Sequence, residues 1–158
     1  MRLWHYKLIS VLPRAQLVSQ LRECVAIAKA LYEKGTPNHI LVNKVTNYSY
    51  DEFYSYCWLV LDELKKRGYK YRQQTVDKIE LYLNAVGNPV NRIRLSKDAK
   101  LFEGWHNKNY LIQCYFNLQE KYDCNGMTQE EWKLIDDYFM STINEYCVGF
   151  NPSSFDFS

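Results

Sequence analysis

Apolar side chains recur at three- and four-residue intervals over several stretches of this chain, the spacing that places them on one face of an α-helix. The first stretch begins near Pro13, a residue favoured in the first turn of a helix, and ends before Gly35. Arg22 and Glu23 lie off the apolar stripe or at its edge, so they can face a groove. The stripe consists of Leu17, Leu21, Val25, Ala28, Leu31 and Tyr32.

The same spacing predicts two further helices in the middle of the chain. Ser49 and Glu52 form a capping-box pattern, which opens a second main helix that ends at Gly68. A shorter helix follows over about 75–86 and stops at the breaker sequence of residues 87–89.

Two more helices are predicted toward the C-terminus. A third main helix covers about 108–122, and a second capping box, Thr128 with Glu131, opens an acidic helix over about 128–147. Residues 38–45 are extended in character but have no clear partner strand. The pattern therefore predicts an all-α fold with three main helices plus shorter ones.

Length and composition favour one soluble domain over residues 1–158. Hydrophobic residues make up 47% of the chain and charged residues 24%, as in an ordinary globular protein. No apolar run approaches the roughly 18 residues that a membrane span needs, and the N-terminus has no signal-peptide pattern. The sequence thus predicts a cytoplasmic protein that does not bind membranes.

The cysteines and the absence of cofactor motifs reduce the number of reaction types that the sequence supports. Five scattered cysteines, an odd number, fit reduced thiols better than a disulfide framework, and no pair has the spacing of zinc ligands. No phosphate-cradling glycine motif or Ser/His/Asp order occurs either. We therefore expect no metal and no organic cofactor.

Charge is divided unevenly along the chain. Residues 1–119 carry 18 bases against 10 acids, a net charge of +8, whereas the chain from Glu120 onward has eight acids and two bases. A basic body is what a protein that meets phosphates would have, although solvated charges can also partition this way by chance. One basic cluster is a candidate for phosphate contact, or else a solvated loop: Arg92, Arg94, Lys97 and Lys100.

The first 45 residues resemble a known family. The resemblance rests on Met1-Arg2-Leu3-Trp4-His5, Leu12-Pro13-Arg14, Arg22-Glu23, Gly35-Thr36, Asn38-His39, Leu41 and Lys44. This order resembles the pyrimidine-dimer DNA glycosylases, the family of the small phage endonuclease V and its bacterial relatives. Those enzymes place a free N-terminal amine beside a helical glutamate and use both to cut a damaged nucleotide.

The resemblance implies specific catalytic roles for the N-terminal residue and for Glu23. A glycosylase-lyase needs an unprotonated amine, and an α-amine has a reference pKa of about 7.7–8.0, against about 10.4 for lysine. Because a bulky second residue normally prevents removal of the initiator methionine, the amine would belong to Met1. Glu23 would stabilise the cationic sugar and shuttle protons.

The same resemblance implies how the DNA would be held. Arg2 and Arg22 would anchor phosphates, and Lys44 would contact DNA with His39, for which a structural role is an equal alternative. The expected substrate is damaged double-stranded DNA, cut by a monomer that acts as glycosylase and abasic-site lyase.

Two other functions remain open from the sequence. One is a non-catalytic nucleic-acid-binding protein of the same fold, and the other is a protein-interaction module whose partner engages the acidic C-terminal helix. The state of the N-terminus distinguishes a glycosylase from both alternatives. Salt-dependent DNA binding distinguishes the two alternatives from each other.

Overall fold

The structure is a computed structural model of the 158-residue chain, and it describes residues 1–87 and 90–146. No strand occurs in these two ranges, so the all-α prediction is confirmed. Nor does either range hold a helix that is both long and apolar enough to cross a membrane. The α-helices are α1 (Arg14–Lys34), α2 (Tyr50–Lys66), α3 (Gln73–Ala85), α4 (Lys108–Asp123) and α5 (Gln129–Tyr146).

The helix ends agree with the signals in the sequence. Gly35 ends α1 in a left-handed conformation with φ 74°, where a Cβ would be strained. Ser49 and Glu52 form both hydrogen bonds of the capping box that opens α2. In α5 the predicted end at residue 147, like the tail beyond it, lies outside the described residues. The extent of the domain, 1–158, stays a prediction.

Two short 3-10 helices were not predicted. The first, Tyr6–Val11, is capped by the His5 side chain, which accepts a hydrogen bond from the Lys7 amide at 3.2 Å. The second, Asn43–Asn47, lies in the stretch that looked extended in sequence. In both, local side-chain hydrogen bonds and buried apolar anchors replace the longer periodicity that marks an α-helix.

The core forms around α1, which packs against α2 and most extensively against α3. Helices α1 and α2 are antiparallel: Arg67, at the end of α2, donates to the carbonyl oxygen of Leu12 at 2.6 Å, just before α1 begins. Further along α1 and nearer the start of α2, the Tyr56 hydroxyl lies 3.1 Å from Gln20 Oε1. This arrangement exposes the middle of α1 on one side and buries it on the other.

The buried face of α1 is shifted from the predicted stripe, whose member Val25 is half-buried. Tyr32 is 50% exposed and packs its ring on Tyr82 of α3, 5.6 Å between centroids, rather than entering the core. The core instead takes Gln20, Cys24 and Ile27, all fully buried. The face is shifted because α1 is covered from two sides, by α2 and by α3, and not from one.

Residues 90–107, the connecting segment, run along α2 without helical structure. Amide groups of this segment donate to side chains of α2: Ile93 to Asp51, Leu95 to Ser55 and Phe102 to Glu52, at 2.9–3.0 Å. Side chains of one helix thus satisfy backbone groups that have no strand or helix partner. The segment delivers α4 to the side of the molecule where the N-terminus lies.

Candidate active site

The N-terminal segment, residues 1–5, is threaded between three helices. Leu3 is fully buried and Trp4 is 7% exposed, although neither belongs to a helix. Buried backbone groups outside regular structure need hydrogen-bond partners, because an unsatisfied one costs roughly 1–3 kcal/mol. Side chains of the helices supply these partners.

Three consecutive carbonyl groups of the segment each accept a hydrogen bond from a different helix. The Arg2 carbonyl accepts from Gln20 Nε2 of α1 at 3.0 Å. The Leu3 carbonyl accepts from the Tyr110 hydroxyl of α4 at 2.6 Å, and the Trp4 carbonyl from the Tyr56 hydroxyl of α2 at 2.6 Å. Burial raises the pKa of both tyrosines well above the ordinary value, so the hydroxyls remain proton donors.

The structure brings Glu23 and the start of the chain together. The Arg2 amide donates to Glu23 Oε2 at 3.0 Å, and the Gln20 amide nitrogen lies 3.2 Å from the same oxygen. Consecutive backbone nitrogens are at most about 3.7 Å apart, so the Met1 amine lies within about 7 Å of that oxygen. Met1 is 43% exposed and Glu23 is half-buried, which leaves this end of the segment open to solvent.

The two arginines predicted to bind phosphate have different surroundings. Arg22 is exposed on α1, immediately before Glu23. Arg2 is half-buried, and its guanidinium lies 5.5 Å from the centre of the Trp4 ring. Arg22 is therefore presented to solvent, whereas Arg2 is held against the protein beside the N-terminal segment.

His39 and Lys44 lie in the stretch that follows α1. His39 is half-buried: its amide donates to Asn43 Oδ1 at 2.8 Å, and its Nδ1 accepts from the Leu41 amide at 3.3 Å. Lys44 is exposed in the second 3-10 helix. In the part of the chain that the structure describes, neither side chain forms a hydrogen bond with Glu23.

Half of the predicted basic cluster is engaged within the protein. The Arg92 guanidinium donates to the carbonyl oxygens of Leu83 and Val86 at the end of α3, at 2.6 and 2.9 Å. The Arg94 guanidinium is paired with Asp62 and lies 4.5 Å from the Trp58 ring centre. Both arginines fasten the connecting segment to the helices beneath it.

A buried cluster of aromatic rings surrounds two histidines, His5 from the N-terminal segment and His106 from the connecting segment. The rings of His5 and His106 stack with centroids 5.2 Å apart, and burial lowers the pKa of His5 to about 4 and that of His106 well below its usual range. Both imidazoles are thus neutral near pH 7, and His106 Nδ1 accepts from the Tyr6 amide at 3.1 Å. These histidines support the segment and are not available as acids at neutral pH.

Gln20, Tyr56 and Tyr110 were not recognised from the sequence. For Gln20 one signal exists: it occupies a buried position of α1, between Leu17 and Cys24 on the same face, where a polar residue needs partners. For the tyrosines no sequence signal exists, because their partners are 52 and 107 positions away.

Residues 1–87 and 90–146 contain no group of three or more His, Cys, Asp or Glu side chains arranged to hold a metal ion.

Comparison with known proteins gives one match. A family model described as pyrimidine dimer DNA glycosylase matches residues 1–85, more than half of the 158-residue chain. The match ends with α3, so it includes Gln20, Glu23 and Tyr56 but not Tyr110. No curated protein and no solved structure matches this chain.

Proposed function

The chain belongs to the pyrimidine dimer DNA glycosylase family, and on that premise we propose that it removes a damaged pyrimidine from double-stranded DNA and then cuts the strand by β-elimination. Met1 supplies the nucleophilic α-amine and Glu23 the carboxylate. The observation that carries this proposal is the 3.0 Å hydrogen bond between the Arg2 amide and Glu23, which keeps residue 1 beside the carboxylate.

In the first step the Met1 nitrogen attacks C1′ of the damaged nucleotide. The glycosidic bond breaks and the base leaves with the bonding electrons. The nitrogen then loses one of its two protons, the C1′–O4′ bond breaks as O4′ takes up a proton, and a protonated imine that keeps the second N–H remains. Glu23 stabilises the positive charge that develops on the sugar.

In the second step the imine acts as the electron sink. A base removes a proton from C2′, the C3′–O bond breaks, and the 3′ phosphate leaves as the strand is cut. Glu23 is the proposed proton carrier for this step, and the proposal is supported by the hydrogen bond that its Oε2 accepts from the segment bearing the amine. Water then hydrolyses the imine and releases the amine.

The charges around the amine support binding to duplex DNA. Arg22 is proposed to contact a phosphate next to the target nucleotide, since it is exposed and precedes Glu23 on the same helix. Arg2, His39 and Lys44 are proposed as additional DNA contacts, with Arg2 nearest the amine. The protein is proposed to act as a monomer.

Borohydride trapping on duplex DNA with a defined abasic site tests the nucleophile. Reduction should convert the imine into a stable amine link. Peptide mapping should place the adduct on residue 1, because an α-amine is less basic than a lysine side chain. A matched reaction on intact duplex, which offers no aldehyde, should give no adduct.

The outcome also separates the rival functions. An adduct only on an internal lysine would refute Met1 as nucleophile. No adduct together with salt-dependent DNA binding would favour a non-catalytic nucleic-acid-binding protein, and no adduct without DNA binding would favour a protein-interaction module.

A further inference from the structure

Gln20 is fully buried, and both the nitrogen and the oxygen of its side-chain amide are hydrogen-bonded. Its Nε2 donates to the Arg2 carbonyl at 3.0 Å and to Glu23 Oε2 at 3.2 Å, which uses both N–H groups. Its Oε1 accepts from the Trp4 amide at 2.9 Å. The orientation of the amide is fixed by these partners, since a backbone N–H can only donate and a carbonyl can only accept.

The amide joins two parts of the site that the proposed chemistry must keep together. On one side it pairs with the N–H and C=O groups that flank Leu3, as a neighbouring strand would. On the other side it binds the carboxylate of Glu23, three residues further along the same helix face. A planar amide holds its donors and acceptor at fixed angles, so a one-residue slip of the segment would break both of its bonds to the segment.

We infer that Gln20 is a positioning residue: it sets the orientation of the Glu23 carboxylate relative to the amine at residue 1. The inference rests on the proposed function, because it assigns a role to Gln20 only through Glu23. Gln20 does not touch the substrate, since it is fully buried beneath the N-terminal segment.

A purely structural role predicts a different result. If Gln20 only satisfied buried backbone groups, its loss would lower stability and leave the folded molecules fully active. If it positions Glu23, folded molecules of the variant cleave slowly, and the effect disappears once Glu23 no longer carries a charge.

The test is a double-mutant cycle measured on folded protein under single-turnover conditions, with duplex DNA that contains a preformed abasic site. Gln20→Met keeps the length of the side chain and removes its hydrogen bonds. We expect cleavage to fall about 10- to 100-fold, the scale of a lost hydrogen bond to a charged group, while affinity for undamaged duplex changes less than about twofold. In the Glu23→Gln background, the same change should slow cleavage by no more than about threefold.

Gln16→Met is the matched control. It makes the same substitution one turn earlier in α1, at a half-buried glutamine whose Oε1 has no hydrogen-bond partner within residues 1–87 and 90–146. Cleavage by this variant should equal that of the wild type. Far-UV circular dichroism and urea titration establish the folded fraction of every variant.

Each result decides the matter. Normal cleavage by Gln20→Met, or losses that multiply in the double variant, would overturn the positioning role while Glu23→Gln alone remains slow. Wild-type cleavage by Glu23→Gln would overturn the proposed function and the inference with it. If Gln20→Met does not fold, Gln20→Glu takes its place: it keeps the acceptor for the Trp4 amide, replaces the donor to Glu23 by a second carboxylate, and should show the same loss in the same cycle.

Discussion

The Tyr110 hydroxyl donates to the Leu3 carbonyl oxygen at 2.6 Å, across 107 positions of the sequence. This bond brings α4, which lies outside the stretch matched by the family model, to the N-terminal segment. The proposed site is therefore completed by the second half of the chain, although its candidate catalytic groups all come from the first 23 residues.

Tyr110→Phe should destabilise the protein and loosen the segment. It removes one hydrogen bond and leaves a buried carbonyl without its partner, so the free energy of unfolding should fall by about 1–2 kcal/mol. Urea unfolding followed by circular dichroism measures this loss. Tyr32→Phe is the control, because Tyr32 is 50% exposed on α1, and it should change stability by less than about 0.5 kcal/mol. Equal stability of the two variants would mean that the Leu3 contact contributes nothing.

Glu23→Gln should separate binding from strand cleavage. The substitution keeps the size of the side chain and removes its charge and its proton-carrying capacity. Cleavage of abasic DNA should fall by roughly 10²-fold or more, while the circular dichroism spectrum and the affinity for undamaged duplex stay as in the wild type. Cleavage at the normal rate would reduce Glu23 to a carboxylate that only ties down the Arg2 amide.

Arg22→Ala should weaken DNA binding at every salt concentration and flatten its salt dependence. Each phosphate contact adds about −0.9 to the slope of log K against log salt, so losing one should change the slope by about one unit. Lys133→Ala removes the same charge from α5, where Lys133 forms an ion pair with Asp137 one turn along the acidic helix, and it should alter neither quantity. The measurement is a titration of undamaged duplex at several salt concentrations. If both variants behave alike, Arg22 does not contact a phosphate.

The helices could be predicted from sequence because their signals are local. The period of apolar residues located α1, and two residues three positions apart, Ser49 and Glu52, fixed the start of α2. Arg22 and Glu23 were identified as candidates by resemblance, and the spacing placed them correctly off the fully buried face of α1.

What escaped prediction depends on contacts between distant parts of the chain. Nothing near Tyr110 in sequence indicates that its hydroxyl meets Leu3, and a histidine beside aromatic residues, such as His5 or His106, looks the same whether it is buried or exposed. Tyr32 shows the converse: it fits the apolar period, yet the position of α3 leaves it half exposed.

The buried His5 should make stability fall as the solution is acidified. Burial lowers its pKa to about 4 in the folded protein, against an ordinary value of 6.5 that applies once the chain unfolds. Between these two values the unfolded chain binds a proton that the folded protein does not, so the contribution is fully present above pH 6.5 and is lost progressively toward pH 4. From about pH 7.5 to about pH 5 the loss due to His5 should be about 2 kcal/mol.

His5→Asn keeps a side chain that can cap the first 3-10 helix but cannot titrate, and its unfolding free energy should fall correspondingly less over the same interval. Urea unfolding of both proteins at the two pH values measures the difference, and an identical pH dependence would show that His5 is not held neutral by the fold.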